Sequence, residues 1–351
     1  DITNKLHPRP FAPHTLPQPS ATAFCRRAAA MWHAARRAAA LCREHAPCGT
    51  SGRGVVTLAG ALRARAGGRR LALAAPAQGV EWSYSELSGR VGRLSAALAG
   101  MGYAPGDVVA TDLASCAENL LLQLAASNLG LSVLTLKDDK GMGKLGADLR
   151  VRGAVMTGPG SFLAEASLPL PSLFVEDAPA GVRLLADAST FGEEISVPAA
   201  DDGSVPLGYY SSASPTTNAM AIEAGASSRG KLAMTEQDVV LVSITLNHVF
   251  GIGSAVSAAL LSGAAVVLPD ASGVVGCGSP SQRAAKTLEY LDALGCTLLY
   301  ADTHTLKALV EVAPTSLKSL RGGICKVGSG VTFLEGTTEL SGVPLFTMGK
   351  A

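Results

Sequence analysis

The sequence has few aromatic and few charged side chains. Phe, Trp and Tyr make up 5% of the residues and Asp, Glu, Lys and Arg 16%, whereas 48% are hydrophobic. The shortage of aromatic rings argues against a stacking surface for single-stranded nucleic acid. The low charge and the high apolar content exclude an intrinsically disordered chain. With 351 residues and 39 glycines, the chain is long enough for two structural units, and its composition favours a loop-rich α/β protein.

The sequence also lacks paired cysteines and the common catalytic motifs. Its seven cysteines never form a C-x-x-C pair, so neither a zinc site nor a disulfide framework is indicated, and we expect a reducing compartment. No H-E-x-x-H, Walker-type or dinucleotide-binding fingerprint occurs. We therefore expect no bound metal and no cofactor.

Positive charge is concentrated at the front of the chain. Residues 1–80 contain twelve Lys and Arg against Asp1 and Glu44, whereas the remainder contains 17 basic and 26 acidic residues. The asymmetry indicates a negatively charged partner, for which an anionic lipid surface, an acidic protein subunit and RNA all stay open. The alternative is that the arginines only solubilise an alanine-rich surface. The Ala- and Arg-rich composition of residues 21–43 is typical of an organelle import signal and favours a mitochondrial location.

One uncharged stretch is long enough to cross a membrane. Val239–Leu268 carries no formal charge. Asn247, His248 and several serines interrupt it, however, and two short β-rich runs flank a segment of small residues. We therefore predict a buried strand, helix and strand rather than a membrane span.

Alternating strand and helix patterns divide the chain into three predicted parts. Residues 1–50 form a proline-rich arm and a basic helix, residues 51–205 a first α/β subdomain, and residues 206–351 a second. The predicted strands are 71–75, 82–84, 108–111, 132–136, 151–156, 173–176, 206–212, 297–301, 324–327 and 344–347. The predicted helices are 55–66, a helix capped by Ser85 that ends near Gly100, and 117–129, 281–294 and 303–312.

Five short motifs follow one another in an order that resembles a known family. Residues 82–87 (W-S-Y-S-E-L) and 105–110 (P-G-D-V-V-A) are followed by 130–136, then by 248–251 (H-V-F-G) and 261–264 (L-S-G-A). This series resembles the adenylate-forming superfamily of acyl-CoA synthetases and luciferases. The resemblance implies an α/β fold of two stacked subdomains, with mainly parallel sheets covered by helices. These motifs build caps, turns and buried strands, so they specify the fold rather than an activity.

The phosphate-binding loop of this family is strongly altered here. The resemblance aligns residues 210–221 (Y-S-S-A-S-P-T-T-N-A-M-A) with the family's Gly-rich "S-G-T-T-G-x-P-K-G" loop, and neither a glycine nor a lysine remains. Backbone N–H groups of such glycines normally approach phosphate. The hydroxyls of Ser211, Ser212, Thr216 and Thr217 are the remaining candidate phosphate ligands. An ordinary polar turn is the alternative.

Three further candidate positions come from the resemblance. His248 corresponds to a family residue near the acyl pocket, with a satisfied core histidine as the alternative. Gly328 lies in a loose counterpart of the "G-A-P" nucleotide loop, and Gly349 belongs to the counterpart of "Y-G-x-T-E". In that counterpart Met348 replaces the tyrosine, and the sequence ends before the glutamate.

We therefore expect no catalytic residues and interpret the chain as a pseudoenzyme. The leading hypothesis is an accessory subunit of a large mitochondrial complex, such as a respiratory-chain enzyme, ATP synthase or ribosome. A nucleotide- or acyl-binding module and a fragment of an active ATP-dependent ligase are the alternatives.

Overall fold

The computed structural model describes residues 57–136, 149–158, 161–164, 168–170, 172–175, 203–210, 215–269, 279–327 and 337–348. All of them belong to the compact unit Arg43–Ala351. The predicted arm and basic helix of residues 1–50 lie outside the described residues and stay predictions.

The described chain alternates strands with helices. The strands are β1 (Leu71–Ala75), β2 (Val80–Ser83), β3 (Val108–Thr111), β4 (Ser132–Thr135), β5 (Val151–Met156), β6 (Leu173–Phe174), β7 (Pro206–Tyr210), β8 (Thr216–Thr217), β9 (Val239–Ser243), β10 (Ala265–Val267), β11 (Leu298–Asp302), β12 (Gly322–Lys326), β13 (Thr337–Leu340) and β14 (Val343–Met348). The α-helices are α1 (Leu58–Arg63), α2 (Tyr84–Gly100), α3 (Ala117–Leu129), α4 (Asn218–Lys231), α5 (Ser257–Ser262), α6 (Pro280–Ala293) and α7 (Thr303–Val312). A 3₁₀ turn (Pro76–Gln78) follows β1, and a π-helix (Phe250–Val256) runs into α5.

Six strands form one sheet in the order β6-β5-β3-β4-β7-β8. The pairs are parallel except for the edge pair β7–β8, which is antiparallel. All four residues of β3 are buried, and α3 is buried along nearly its whole length. Burial of consecutive strand residues is expected where helices cover both faces of a parallel sheet.

Eight strands form the second sheet in the order β13-β14-β12-β11-β9-β10-β1-β2. Its centre is parallel, and the antiparallel pairs β1–β2 and β13–β14 close its two edges. The predicted α/β class, with two mainly parallel sheets covered by helices, is confirmed. β1 nevertheless pairs with β10, and β7 extends the first sheet beside β4. Each sheet thus contains strands from before and from after residue 206. The division into subdomains 51–205 and 206–351 stays a prediction.

The start of α2 differs from the prediction that Ser85 caps this helix. The N-cap is Ser83, whose hydroxyl accepts the backbone N–H of Glu86 while the Glu86 carboxylate accepts the N–H of Ser83. This reciprocal capping box satisfies two backbone donors, which Ser85 inside the first turn cannot do. These hydrogen bonds also lower the pKa of the Glu86 carboxyl group. The apolar face is as predicted, with Leu87, Val91 and Leu94 among its buried residues.

The uncharged segment Val239–Leu268 forms β9, the π-helix, α5 and β10. This is the predicted strand, helix and strand, and most of its residues are buried in the core. Among the described helices, none has both the length and the apolar character needed for a membrane span.

The helix α4 was absent from the predicted elements, and so was β13. The sequence of α4 has weak amphipathic character because small residues occur all around it. Those small residues permit close packing: a Cβ atom at Gly225 would overlap Ser257, at the start of α5. α4 is therefore specified by its fit against α5 more than by an apolar stripe of its own.

We predict opposite effects of adding a methyl group at two glycines. Gly323→Ala in β12 should lower the free energy of unfolding by about 1–3 kcal/mol, because the new Cβ would overlap the backbone carbonyl of Leu299. Gly230→Ala in α4 meets no atom within 4 Å, so it should stabilise the helix by up to about 1 kcal/mol. Urea unfolding of both variants measures the difference, and a Gly323→Ala protein as stable as Gly230→Ala would contradict the packing described.

Candidate functional site

The candidate site lies at the carboxyl edge of the eight-stranded sheet. β9, β11, β12 and β14 are parallel, so their carboxyl ends meet at this edge, which is where α/β sheets bind ligands. β11 ends at Asp302, β12 at Lys326 and β14 at Met348. His248 lies on the segment between β9 and the π-helix.

His248 is held by backbone hydrogen bonds at the start of the π-helix. Its Nδ1 accepts the N–H of Phe250 at 3.0 Å. Its carbonyl oxygen accepts the N–H groups of Gly251 and Ile252, at 2.9 and 3.1 Å. Gly251 is required here because a Cβ atom would overlap the carbonyl of Thr245. The imidazole is half-buried, with its Nδ1 edge fixed and its Nε2 edge turned to a second side chain.

That second side chain is Lys326. Its Nζ lies 2.6 Å from His248 Nε2, and both residues are half-buried. The backbone of Lys326 pairs with Asp302 on one side and Met348 on the other. The Thr303 hydroxyl donates to the Lys326 carbonyl at 3.0 Å. A lysine amine is thus placed beside an imidazole by two strands and a hydroxyl.

Ser254 and Met348 extend this polar group. The Ser254 hydroxyl, which is almost completely buried, lies 3.8 Å from the thioether sulfur of Met348. Sulfur is a weak acceptor, so the hydrogen bond is weak. Met348 occupies the position that the family resemblance gives to a tyrosine. A thioether offers no aromatic ring against which a purine base could stack.

A network of amide side chains connects this site to the six-stranded sheet. Asn119 on α3 donates to Asn247 Oδ1 at 2.8 Å, and Asn247 Nδ2 donates to the Leu113 carbonyl at 2.7 Å. Gln123 donates to Asn119 Oδ1 at 2.9 Å and lies 3.2 Å from the Leu246 carbonyl. Because Asn247 directly precedes His248, the network fixes the backbone on which the imidazole is carried.

An ion pair lies at the same edge, beside β11. Arg283 of α6 places Nη1 3.2 Å from Asp302 Oδ2, and nine tenths of the arginine side chain is buried. The other Asp302 oxygen accepts the N–H of Thr305 at 2.7 Å and caps α7. One Asp302 oxygen therefore faces the Arg283 cation and the other caps α7, so the ion pair has a structural role.

The structure gives structural roles to the two predicted phosphate ligands that it describes. The Thr217 hydroxyl accepts the N–H of Met220 at 3.2 Å and caps α4. The backbone of Thr216 pairs with Gly208 in the edge strand β8, and its side chain is buried. Their assignment as phosphate ligands stays a prediction. Ser211, Ser212, Gly328 and Gly349 lie outside the described residues, so their assignments stay predictions.

The start of α4 and His248 lie at the same end of a helix pair. A Cβ at Gly253 would contact Ala221, and one at Gly225 would overlap Ser257. Ala221 and Gly225 of α4 are four residues apart, and so are their respective neighbours Gly253 and Ser257. α4 therefore runs in the same direction as the continuous segment formed by the π-helix and α5. Thr217, one turn before Ala221, thus lies at the end of the helix pair that also carries His248. Its hydroxyl, however, caps α4.

Sequence reasoning identified His248 but not Lys326, Asn119 or Asn247 as parts of one site. The signal was limited to the position of Lys326 within the predicted strand 324–327, and no motif joined it to His248. Among the described residues, no group of three His, Cys, Asp or Glu side chains is placed to hold a metal ion. Besides the Arg283–Asp302 ion pair, the polar groups described at this edge include the amine of Lys326, the imidazole of His248 and the hydroxyl of Ser254.

We predict that Asn247→Ala lowers the free energy of unfolding by about 1–3 kcal/mol, because Asn119 and the Leu113 carbonyl lose part-buried hydrogen bonds. Gln237→Ala, at an exposed position, is the control and should change stability by less than about 0.5 kcal/mol. Urea unfolding compares the two, and equal values would show that the amide network does not join the sheets.

Comparison with known proteins gives one family match and several similar folds. The family model described as "AMP-binding enzyme" matches residues 61–154, which run from α1 to β5. No curated protein sequence matches the chain.

Three solved structures illustrate the similarity of fold. A protein described as a long-chain-fatty-acid CoA ligase from Rhodopseudomonas palustris is 20% identical, with a TM-score of 0.62 over 77% of this chain and 69% of that one. MbtA from Mycobacterium smegmatis is 19% identical, with a TM-score of 0.64 over 86% and 55%. The o-succinylbenzoate coenzyme A synthetase MenE from Bacillus subtilis is 19% identical, with a TM-score of 0.61 over 83% and 58%.

The chain spans little more than half the length of MbtA and MenE. At these identities the likeness establishes the fold alone. The predicted resemblance is confirmed: this chain is similar to the AMP-binding, adenylate-forming enzymes in sequence over residues 61–154 and in the fold of its α/β sheets.

Proposed function

We propose that this chain is a non-catalytic accessory subunit, derived from an acyl-CoA synthetase-like protein and working within a larger mitochondrial assembly. The proposal rests on one observation above all. The segment in the place of the family's phosphate loop, residues 210–221, has no glycine and no lysine, and its Thr217 hydroxyl already caps α4.

The loss of these groups has a direct chemical consequence. Adenylation joins a carboxylate oxygen to the α-phosphorus of ATP while the bond to the leaving pyrophosphate breaks, and catalysis of this step needs hydrogen-bond donors and a cation positioned around the developing negative charge. Pro215 has no N–H to donate, and Thr216 is buried within the sheet. Met348 in the tyrosine position removes a stacking surface for the base. The described part of the chain therefore retains the fold of an adenylating enzyme with little that favours a bound nucleotide.

Exposed apolar side chains support a protein partner. Val310 and Val312 of α7 are each 59% exposed, and Phe346 of β14 is 40% exposed. β14 lies beside the edge strand β13, and strand edges are surfaces at which other chains pair. Together with the basic residues 1–80, these features favour docking on other subunits, with anionic lipid or an acidic subunit beside the basic segment.

The mitochondrial location rests on the composition of residues 21–43, which is rich in Ala and Arg. A respiratory-chain complex, ATP synthase and the mitochondrial ribosome are the assemblies that fit an accessory subunit of this kind. In the mitochondrial ribosome, RNA would be a further candidate contact of the basic segment.

A ligand-binding module is the second candidate function. The half-buried pair of His248 and Lys326, with Ser254 nearby, gives the carboxyl edge of the sheet a polar group that could hold an acyl compound. Such a module would bind without turnover. Calorimetric titration with ATP and with acyl-CoA separates this candidate from the accessory subunit, since only the module gives saturable heat.

We predict that the protein supports no exchange of pyrophosphate into ATP with any of a panel of fatty, aromatic and dicarboxylic acids. The reason is the missing phosphate cradle. An acyl-CoA ligase with an intact Gly-rich loop, assayed in parallel, serves as the positive control. Formation of an acyl-adenylate by this chain would overturn the proposal and favour the alternative of a fragment of an active ATP-dependent ligase.

We also predict that the native protein elutes with other subunits. Sizing of gently solubilised mitochondria, with detection of this chain by an antibody, should place it in a large particle, because an accessory subunit stays bound to its partners. Recovery mainly as a free monomer would contradict the assembly hypothesis while leaving the ligand-binding candidate in place.

A further inference from the structure

We propose that a groove at the amino edge of the eight-stranded sheet docks an acidic segment of a partner subunit. The groove lies between the end of α4 and the strands β12 and β14, at the opposite end of the sheet from His248 and Lys326. The inference rests on the proposed accessory role, and it goes beyond that role by assigning a docking surface and the chemistry of its occupant.

The groove is an open cavity of about 180 Å³ with apolar walls. Leu232, which directly follows α4, lines it together with Pro344 and Phe346 of β14 and Gly322 at the start of β12. Phe346 is 40% exposed, whereas most large apolar side chains of the described residues are buried. An apolar side chain of a partner that covers the Phe346 ring therefore removes apolar surface from water, which favours docking.

Arg321 forms a fixed polar wall of the groove. Its Nε and Nη2 donate to the carboxylate of Asp238 at 2.8 and 2.7 Å, and its Nη1 donates to the Leu232 carbonyl at 2.9 Å. Asp238 is buried, while 42% of the Arg321 side chain is exposed. The guanidinium is thus held in one orientation before a partner arrives, which lowers the entropic cost of binding.

Positive charge is in excess around the groove. The segments 229–238 and 313–322 carry four basic residues against Glu236 and Asp238, and both of these acids already form ion pairs with arginines. Three exposed cations remain for which the described part of the chain supplies no ion pair: Arg229, Lys231 and Lys318. Lys231 lines the groove itself. An acidic partner therefore finds an unpaired cation beside the apolar walls.

Glu339 of β13 adjoins the groove from the other side. Its backbone pairs with Pro344, and its side chain is exposed. The excess of positive charge therefore lies on the α4 side. Charge complementarity orients the partner, so that an Asp or Glu side chain faces Lys231 and a neighbouring apolar side chain covers Phe346.

The shape of this surface favours a protein segment over an anionic membrane, which the same cations also attract. A bilayer takes up apolar side chains that project from a protein surface. Phe346 instead lines a concave groove beside the fixed guanidinium of Arg321. Aromatic and arginine side chains are enriched where proteins dock on one another.

Two variants of the full chain and two matched controls test the groove. Lys231→Glu reverses the unpaired charge and Phe346→Ser removes the apolar contact, and we expect each to lower the ratio of assembled to free chain by at least about tenfold. Lys307→Glu, at an exposed lysine of α7, and Met220→Ser, at a methionine that is 51% exposed, make similar changes outside the groove. These controls should keep the ratio of the parent, as measured by sizing of gently solubilised mitochondria.

Urea unfolding of each purified variant shows whether a loss of assembly follows from a loss of fold. If Lys231→Glu is less stable than Lys307→Glu, Lys231→Gln takes its place, because it removes the charge without reversing it. A smaller loss of assembly is then expected, and Lys307→Gln should show none.

Photo-crosslinking identifies the occupant. With Phe346→p-benzoylphenylalanine, irradiation of intact mitochondria should join this position to a peptide of a partner subunit that carries an acidic residue near the crosslink. Replacing that acidic residue by lysine should restore the assembly of Lys231→Glu, because the two charges are then exchanged.

Assembly of Lys231→Glu and Phe346→Ser at the level of a parent that elutes in a large particle would overturn the docking proposal and leave the accessory role intact. A crosslink to lipid, to a second copy of this chain or to a segment without acidic residues would overturn it as well. Elution of the parent itself as a free monomer would instead refute the accessory role, and the docking proposal with it.

Discussion

The amide contact between Asn119, which is buried, and Asn247, which is half-buried, is the interaction on which the site depends. It joins α3, which packs with the six-stranded sheet, to the segment that leaves β9 of the eight-stranded sheet. Amides removed from water need hydrogen-bond partners, and here Asn119 donates to Asn247 Oδ1 while Gln123 donates to Asn119 Oδ1. The orientation of the next residue, His248, is a consequence of this contact between the sheets. The candidate site therefore depends on the contact between α3 and the segment after β9, and no single local sequence motif defines it.

Much of the fold was predictable from the sequence because its strands are buried on both faces. Continuous apolar runs such as Val239–Ser243 stand out between turns, and β1, β3 and β5 have the predicted bounds. α4 was not predictable, because its two glycines, two adjacent serines and four alanines give no apolar stripe. What holds α4 is a close approach to α5 that only the assembled structure reveals. The predicted cap of α2, Ser85, lies two residues after the observed cap, Ser83, because serine is a good capping residue at either position.

The site was less predictable because its parts are far apart along the chain. His248 came from a family resemblance, but no periodicity connects it to Lys326 at the end of β12. Their 2.6 Å contact depends on the order of β9, β11 and β12 in the sheet. Thr217 shows the reverse case: a hydroxyl in a suggestive stretch whose hydrogen bond is a helix cap. Residue type indicates what chemistry is available, and topology decides which groups meet.

The pairing of β1 with β10 has a consequence for how the chain folds during synthesis. Leu73 lies beside Val266, so β1 has no parallel neighbour until the chain beyond β10 has left the ribosome. Contacts between such distant segments slow folding and leave apolar strands exposed meanwhile. β1 and β2, which pair with each other, therefore join the rest of the eight-stranded sheet only after almost two hundred further residues have been made, which gives this sheet a high contact order.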